Sequence, residues 1–164
     1  MIIRLISATK LISFLFLASA LALACDNPVD NDDHDHAGAE GFVLTSSGEE
    51  VVRYENELFL FNEESGFAVD DQLRIFEAAS AEFEIVFLDH DGDHFTPDDD
   101  LMLDWLIGNQ DIVDLQHADE NKWSFQLNGI SEGETTVTFY IVHGEHNDFT
   151  SLPLPVQVAQ NEEN

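Results

Sequence analysis

From Thr136 to Ile141 the chain alternates strictly: Val137, Phe139 and Ile141 are apolar, with Thr136, Thr138 and Tyr140 between them. A period of two buries one face of a β-strand and leaves the other in water, and no helix accommodates it. His143 continues the apolar register, so it is expected at the end of a core-facing row. Gly144 interrupts the strand, and His146, Asn147 and Asp148 are expected in a turn. Leu152, Leu154, Val156 and Val158 then resume the alternation, with Pro153 and Pro155 in the opposite phase. Proline cannot donate to a sheet ladder, which suits an edge or entering strand. The sequence therefore predicts a closing hairpin whose tip carries His143 and His146.

The same period recurs upstream. Phe42–Leu44, a turn at Ser46–Gly48 and Val51–Tyr54 predict an opening hairpin. Leu58–Phe61 is a short apolar run, and Leu73 and Ile75 alternate with polar neighbours. Phe83, Ile85 and Phe87 predict a central strand, as do Leu101, Leu103 and Trp105, then Trp123, Phe125 and Leu127. Glu77–Ala81 has the composition of a single helical turn. Asn128–Gly129 and Glu132–Gly133 bracket the connection into the last hairpin. The expected fold is all-β: a sandwich of about seven to nine short antiparallel strands over residues 41–160, ending in an acidic tail, 161–164. The stretches WSFQLNG (Trp123–Gly129) and GETTVTF (Gly133–Phe139) resemble the closing strands of bacterial immunoglobulin-like domains. That resemblance covers about the last third of the domain and implies an immunoglobulin-like sandwich.

Residues 1–24 read differently. Arg4 and Lys10 precede an apolar run, Leu11–Leu23, which ends in small residues directly before Cys25. The segment resembles a bacterial lipoprotein signal peptide, with Leu21-Ala22-Leu23-Ala24-Cys25 similar to a lipobox; the commonest pattern has leucine where Ala22 stands. The resemblance implies cleavage before Cys25, lipidation of Cys25, and a lipid-anchored place in the cell envelope, facing the periplasm or the surface. Cys25 is the chain's one cysteine, so no internal disulfide forms. Residues 25–40, rich in Asp, Asn, Gly and Ala, are expected to be a flexible acidic tether. Its His34 and His36, set among aspartates, form a weak metal-collecting site.

Charge narrows the partners. Only Arg53, Arg74 and Lys122 of the 5 basic residues lie beyond Cys25, against all 34 acidic ones. Nucleic acid and anionic membrane surfaces are repelled by such a chain, so the membrane is reached only through the lipid anchor. Adaptation to salt is the plainer account of the acidity, because counterions screen the repulsion, so acidity by itself is no evidence for a function.

Two stretches carry ligand chemistry. In His143-Gly-Glu-His146-Asn-Asp148, two imidazoles and a carboxylate (Asp148 or Glu145) suit zinc, or copper or nickel, provided the turn makes them converge. In Asp89–Asp100, Asp89, Asp91 and Asp93 match the first three oxygen positions of an EF-hand loop, which makes calcium the alternative ion there. The sixth position is His94 rather than glycine and the twelfth is Asp100 rather than glutamate, so a complete EF-hand is not expected. His90 and His94 offer transition-metal ligands instead. His117 stands alone in a polar stretch and reads as a surface residue. No Gly-x-Ser-x-Gly elbow and no phosphate-cradling glycine loop is present, which points away from an enzyme. Six of the 7 histidines fall in close pairs. The expected function is therefore a non-enzymatic envelope lipoprotein that binds a divalent transition metal, zinc first. The alternative is an adhesion or scaffold module that binds an envelope protein and is stabilised by calcium.

Overall fold

The computed structural model describes residues 38–118 and 121–161. The signal-type segment, Cys25, His34, His36 and residues 162–164 lie outside the described residues. The first hairpins are built from β1 (Gly41–Ser46), β2 (Glu49–Glu55) and β3 (Leu58–Phe61), followed by β4 (Ala68–Val69) and β5 (Gln72–Phe76). The middle of the chain forms β6 (Ser80–Leu88), β7 (His94–Phe95), β8 (Met102–Ile107) and β9 (Val113–His117). The last part forms β10 (Ser124–Gly129), β11 (Gly133–His143), β12 (His146–Thr150) and β13 (Leu154–Ala159).

These strands make an all-β sandwich. One sheet runs β3-β2-β1-β6-β10-β9, with β7 added to β6; the other runs β12-β11-β13-β5-β4, with β8 also paired to β11. The alternating apolar residues meet between them. Phe42, Phe83, Phe87 and Phe125 of the first sheet, and Phe139, Ile141 and Leu154 of the second, are all almost fully buried.

Three features depart from the sequence reading. There are more strands than seven to nine, because hairpins turn at Asn56–Glu57 (φ 54° and 60°) and Asp70–Asp71 (φ 50° and 57°) without any glycine. Two successive left-handed residues are what a type I′ hairpin turn needs, and Asn and Asp tolerate that conformation. Second, β13 pairs with β5 in parallel (Val156↔Leu73, Val158↔Ile75), so the sandwich is not wholly antiparallel. Pro155 fits because it faces Thr136 of β11 and pairing with β5 begins only at Val156. Third, Glu77–Ala81 makes a tight turn at Ala78 (φ 59°) and enters β6, rather than forming a helical turn.

β12 and β13 together line one edge of β11, with two irregularities. Ile141↔Phe149 and Val142↔Asn147 leave Asp148 as an extra residue in β12, a β-bulge. Further along, Ser151 replaces a ladder step. Its Oγ accepts from Phe139 N–H at 2.9 Å and donates to Leu152 C=O at 2.8 Å, while its own N–H donates to Phe139 C=O at 2.9 Å. Ser151 is buried, so Ser151→Ala strands the Phe139 N–H away from water. A loss of about 1–2 kcal/mol in urea unfolding is expected; an unchanged midpoint would show that water reaches this step.

Candidate functional site

One end of the sandwich gathers the loops singled out by the sequence. The β11–β12 turn is Gly144–Glu145, and Gly144 has φ 60°, as the first central residue of a type II′ turn requires. His143 and His146 are therefore direct cross-strand partners. Directly opposed residues share a face, so the two imidazoles emerge side by side from the hairpin tip.

His143 is framed by carboxylates on both ring nitrogens. Nε2 lies 3.2 Å from Asp100 Oδ2, and Nδ1 lies 3.8 Å from Asp148 Oδ2. The Asp148 side chain is only 5% exposed, against 42% for His143 and 67% for Asp100. The bulge explains this, because an extra residue in β12 re-aims Asp148 inward. Asp100 comes from the loop before β8, which Lys122 holds in place. Lys122 Nζ donates to Asp98 C=O and Leu101 C=O, each at 3.0 Å, and sits 5.0 Å from the centre of the Trp123 ring.

The β6–β7 turn stands at the same end. Asp89 and His90 share with Asp148 a cleft of about 420 Å³, whose other walls include Glu40, Tyr54, Glu55 and Glu57. Within the turn, Asp89 Oδ1 accepts from the amides of Asp91 and Asp93, both at 2.9 Å. Asp89 thus caps its own turn, and the Asp91 carboxylate lies 3.1 Å from His90 Nε2. These contacts engage the side chains of Asp89 and Asp91, two of the three residues expected to hold calcium. His94 opens β7 opposite Leu88 and is exposed. His117 is exposed, as expected of a surface residue, and its ring lies 4.3 Å from that of Trp105 in the other sheet.

No protein-family model and no curated protein matches the chain. Solved structures similar to it include several of one S-layer protein. Domains 5-6 of the S-layer protein SbsC match with 20% identity and a TM-score of 0.39, covering 57% of this chain and 42% of that one. Domains 4 and 5 match with 14% identity and a TM-score of 0.38, covering 71% and 98% respectively. For domains 4-9 the values are 15% and 0.41, covering 76% of this chain and 22% of that one. The present chain thus spans under half the length of the first and the last of these structures.

Carboxylates outnumber cations at the histidine end. Of the three cations in the described fold, Arg53 is clasped by Glu50 at 3.0 Å and faces Glu55 at 3.9 Å. Its pKa is raised by the hydrogen bond to Glu50, against a smaller opposing effect of burial. Lys122 is engaged by carbonyls, and Arg74 lies 5.4 Å from the centre of the Phe76 ring. Among the described residues, no three His, Cys, Asp or Glu side chains already converge tightly enough to hold a metal ion. The sequence missed Asp100 as the partner of His143, and missed Glu40, Glu55 and Glu57 around the cleft. Asp100 was visible only as a mismatched EF-hand position.

Proposed function

We propose that this chain is a non-enzymatic, lipid-anchored envelope protein whose sandwich binds a divalent transition metal, zinc first, at the histidine end. The supporting observation is the 3.2 Å separation of His143 Nε2 and Asp100 Oδ2. Two ligands on one tetrahedral zinc ion, each about 2.0–2.1 Å from it, lie roughly 3.3 Å apart. An ion entering between Nε2 and Asp100 therefore asks little movement of either. His146, across the hairpin, supplies the third donor by a side-chain rotation, and water completes the shell. Asp148 takes a different part from the one expected of it. Facing Nδ1, it holds the ring orientation and leaves Nε2 for the metal, as carboxylates behind metal-bound histidines do. The excess of carboxylates raises the local cation concentration.

Calorimetric titration with zinc and then calcium tests this on the full chain carrying His34→Ala and His36→Ala, which removes the tether's own site. Zinc is expected to bind at micromolar or tighter affinity, and the further double substitution His143→Ala/His146→Ala is expected to abolish it. Calcium is expected to bind more weakly, because imidazole favours zinc, copper and nickel. Zinc binding that survives the double substitution would sink this reading.

A second reading, a scaffold or adhesion module for an envelope protein, is supported by exposed apolar side chains on two edge strands: Leu58 and Leu60 on β3, Met102 and Leu106 on β8.

A further inference from the structure

We propose that the free edge of β8 receives an extended, cationic segment of a partner protein as an added strand. The proposal rests on the scaffold reading and stands apart from the metal. Among the described residues, β8 pairs only with β11. Its six residues split by face: Leu103 is buried, with Trp105 and Ile107 half-buried, whereas Met102, Asp104 and Leu106 point outward. Met102 is 59% and Leu106 60% exposed. Across β11, half-buried Val142 stands opposite Met102 and extends the apolar strip, while half-buried Tyr140 and Thr138 stand opposite Asp104 and Leu106.

The backbone of this edge is open to pairing. Trp105 faces Phe139, whose N–H and C=O are both spent on Ser151 at the other edge of β11. Trp105 and Phe139 are therefore a non-hydrogen-bonded pair, and the Trp105 N–H points to the free edge. What it meets there is the carboxylate of Asp104, at 2.8 Å from Oδ1. A free sheet edge recruits strands unless something blunts it, and here one aspartate does so. An incoming strand offers a carbonyl to the Trp105 N–H and releases the Asp104 carboxylate, which then needs a cation. The half-buried Trp105 and Ile107 would gain cover from the incoming strand's inward side chains.

Those features define the partner's pattern. Residues opposite Met102 and Leu106 are apolar, and the one opposite Asp104 is lysine or arginine. Further basic residues are favoured by Asp98 and Asp99 in the loop that leads into the strand and by Asp111 in the loop that follows it. A second copy of this chain fits poorly, since it brings another net charge of −29 to the same edge. In strand addition the main chain supplies affinity and the alternate side chains supply specificity.

The test uses the full chain in detergent micelles and two labelled synthetic peptides of alternating valine and threonine, with central lysine in one and central glutamate in the other. Fluorescence anisotropy is expected to show the lysine peptide binding about fivefold more tightly, the scale of one cross-strand charge pair. Asp104→Lys is expected to reverse that order, and hydrogen exchange to slow at the β8 amides on binding. Equal affinity of the two peptides for both proteins would overturn the charge assignment. Slowed exchange at β3 instead of β8 would overturn the site while leaving the scaffold reading intact. Self-association of the free chain with protection confined to β8 would assign the edge to a second copy and overturn the cationic partner. Protection nowhere on the chain would overturn the proposal and the scaffold reading together.

Discussion

Replacing Phe42 with alanine is expected to lower the unfolding free energy by about 3–5 kcal/mol. Phe42 lies on β1 with no exposed surface. Its ring stacks on Tyr54 at 5.3 Å and meets Phe139 edge-on at 5.5 Å and Phe149 at 6.3 Å. Tyr54 belongs to the same sheet, but Phe139 and Phe149 belong to the other, so this ring joins the two layers. Truncation removes apolar contact area, leaves a cavity and discards several aromatic contacts at once. The surrounding rings cannot collapse into the gap, because each is fixed by its own strand pairing. A domain of this size is stable by about 5–15 kcal/mol, so the loss is a large share of the total. Urea unfolding followed by tryptophan fluorescence measures it, with the slope expected to stay unchanged. A loss below about 1 kcal/mol would mean that the sheets close over the vacancy and that the core is more plastic than its packing implies.

How legible the fold was depends on what each residue signals locally. Phe83, Ile85 and Phe87, or Val137, Phe139 and Ile141, announce their strands because burial of one face imposes a period that neighbours share. The stretches read from that period lie in strands of the sandwich or directly beside them. What the period does not encode is which strands meet. The parallel pairing of β13 with β5 joins Val156 to Leu73, and nothing near either residue marks the other. The hairpins at Asn56–Glu57 and Asp70–Asp71 were hidden for another reason: they reach left-handed geometry without the glycine that normally flags it.

The histidine end was legible in the same partial way. His143 and His146 stood out by composition, and the two-residue turn makes them cross-strand neighbours. The contact between His143 and Asp100 depends on two loops far apart in sequence, joined only because β8 lies against β11. Asp148 was read as a metal ligand from its nearness in sequence. Its buried position 3.8 Å from His143 Nδ1 comes from the bulge, and a bulge is set by ladder register, which alternation alone does not reveal.

Gly129 makes the same point with a measurable consequence. Beside Asn128 it has the look of a turn residue, but the structure places it as the last residue of β10, buried and paired with Val113. Its N–H donates to Ala79 C=O at 3.0 Å, and its C=O accepts from Ala78 N–H at 3.0 Å. A Cβ at this position would lie 2.3 Å from Phe76 C=O oxygen and 3.3 Å from Ile75 Cγ2. The glycine is therefore required by the close passage of β10 over the end of β5, not by an unusual backbone angle. A flexible side chain could swing away from an added methyl group, but the Phe76 carbonyl belongs to the chain that enters the Glu77–Ala78 turn. Gly129→Ala must push β5 and β10 apart at the point where the two sheets close on each other. The expected cost is about 3 kcal/mol, the upper part of the usual range for overpacking, because backbone rather than side chain has to move. Thermal unfolding of the Gly129→Ala chain measures it. Hydrogen exchange on the same variant should quicken first at the Ala78 and Ala79 amides, while the β11–β12 hairpin at the far end keeps its protection. Exchange that quickened evenly through both sheets would show that this contact is held cooperatively by the whole sandwich, and the local account of Gly129 would fail.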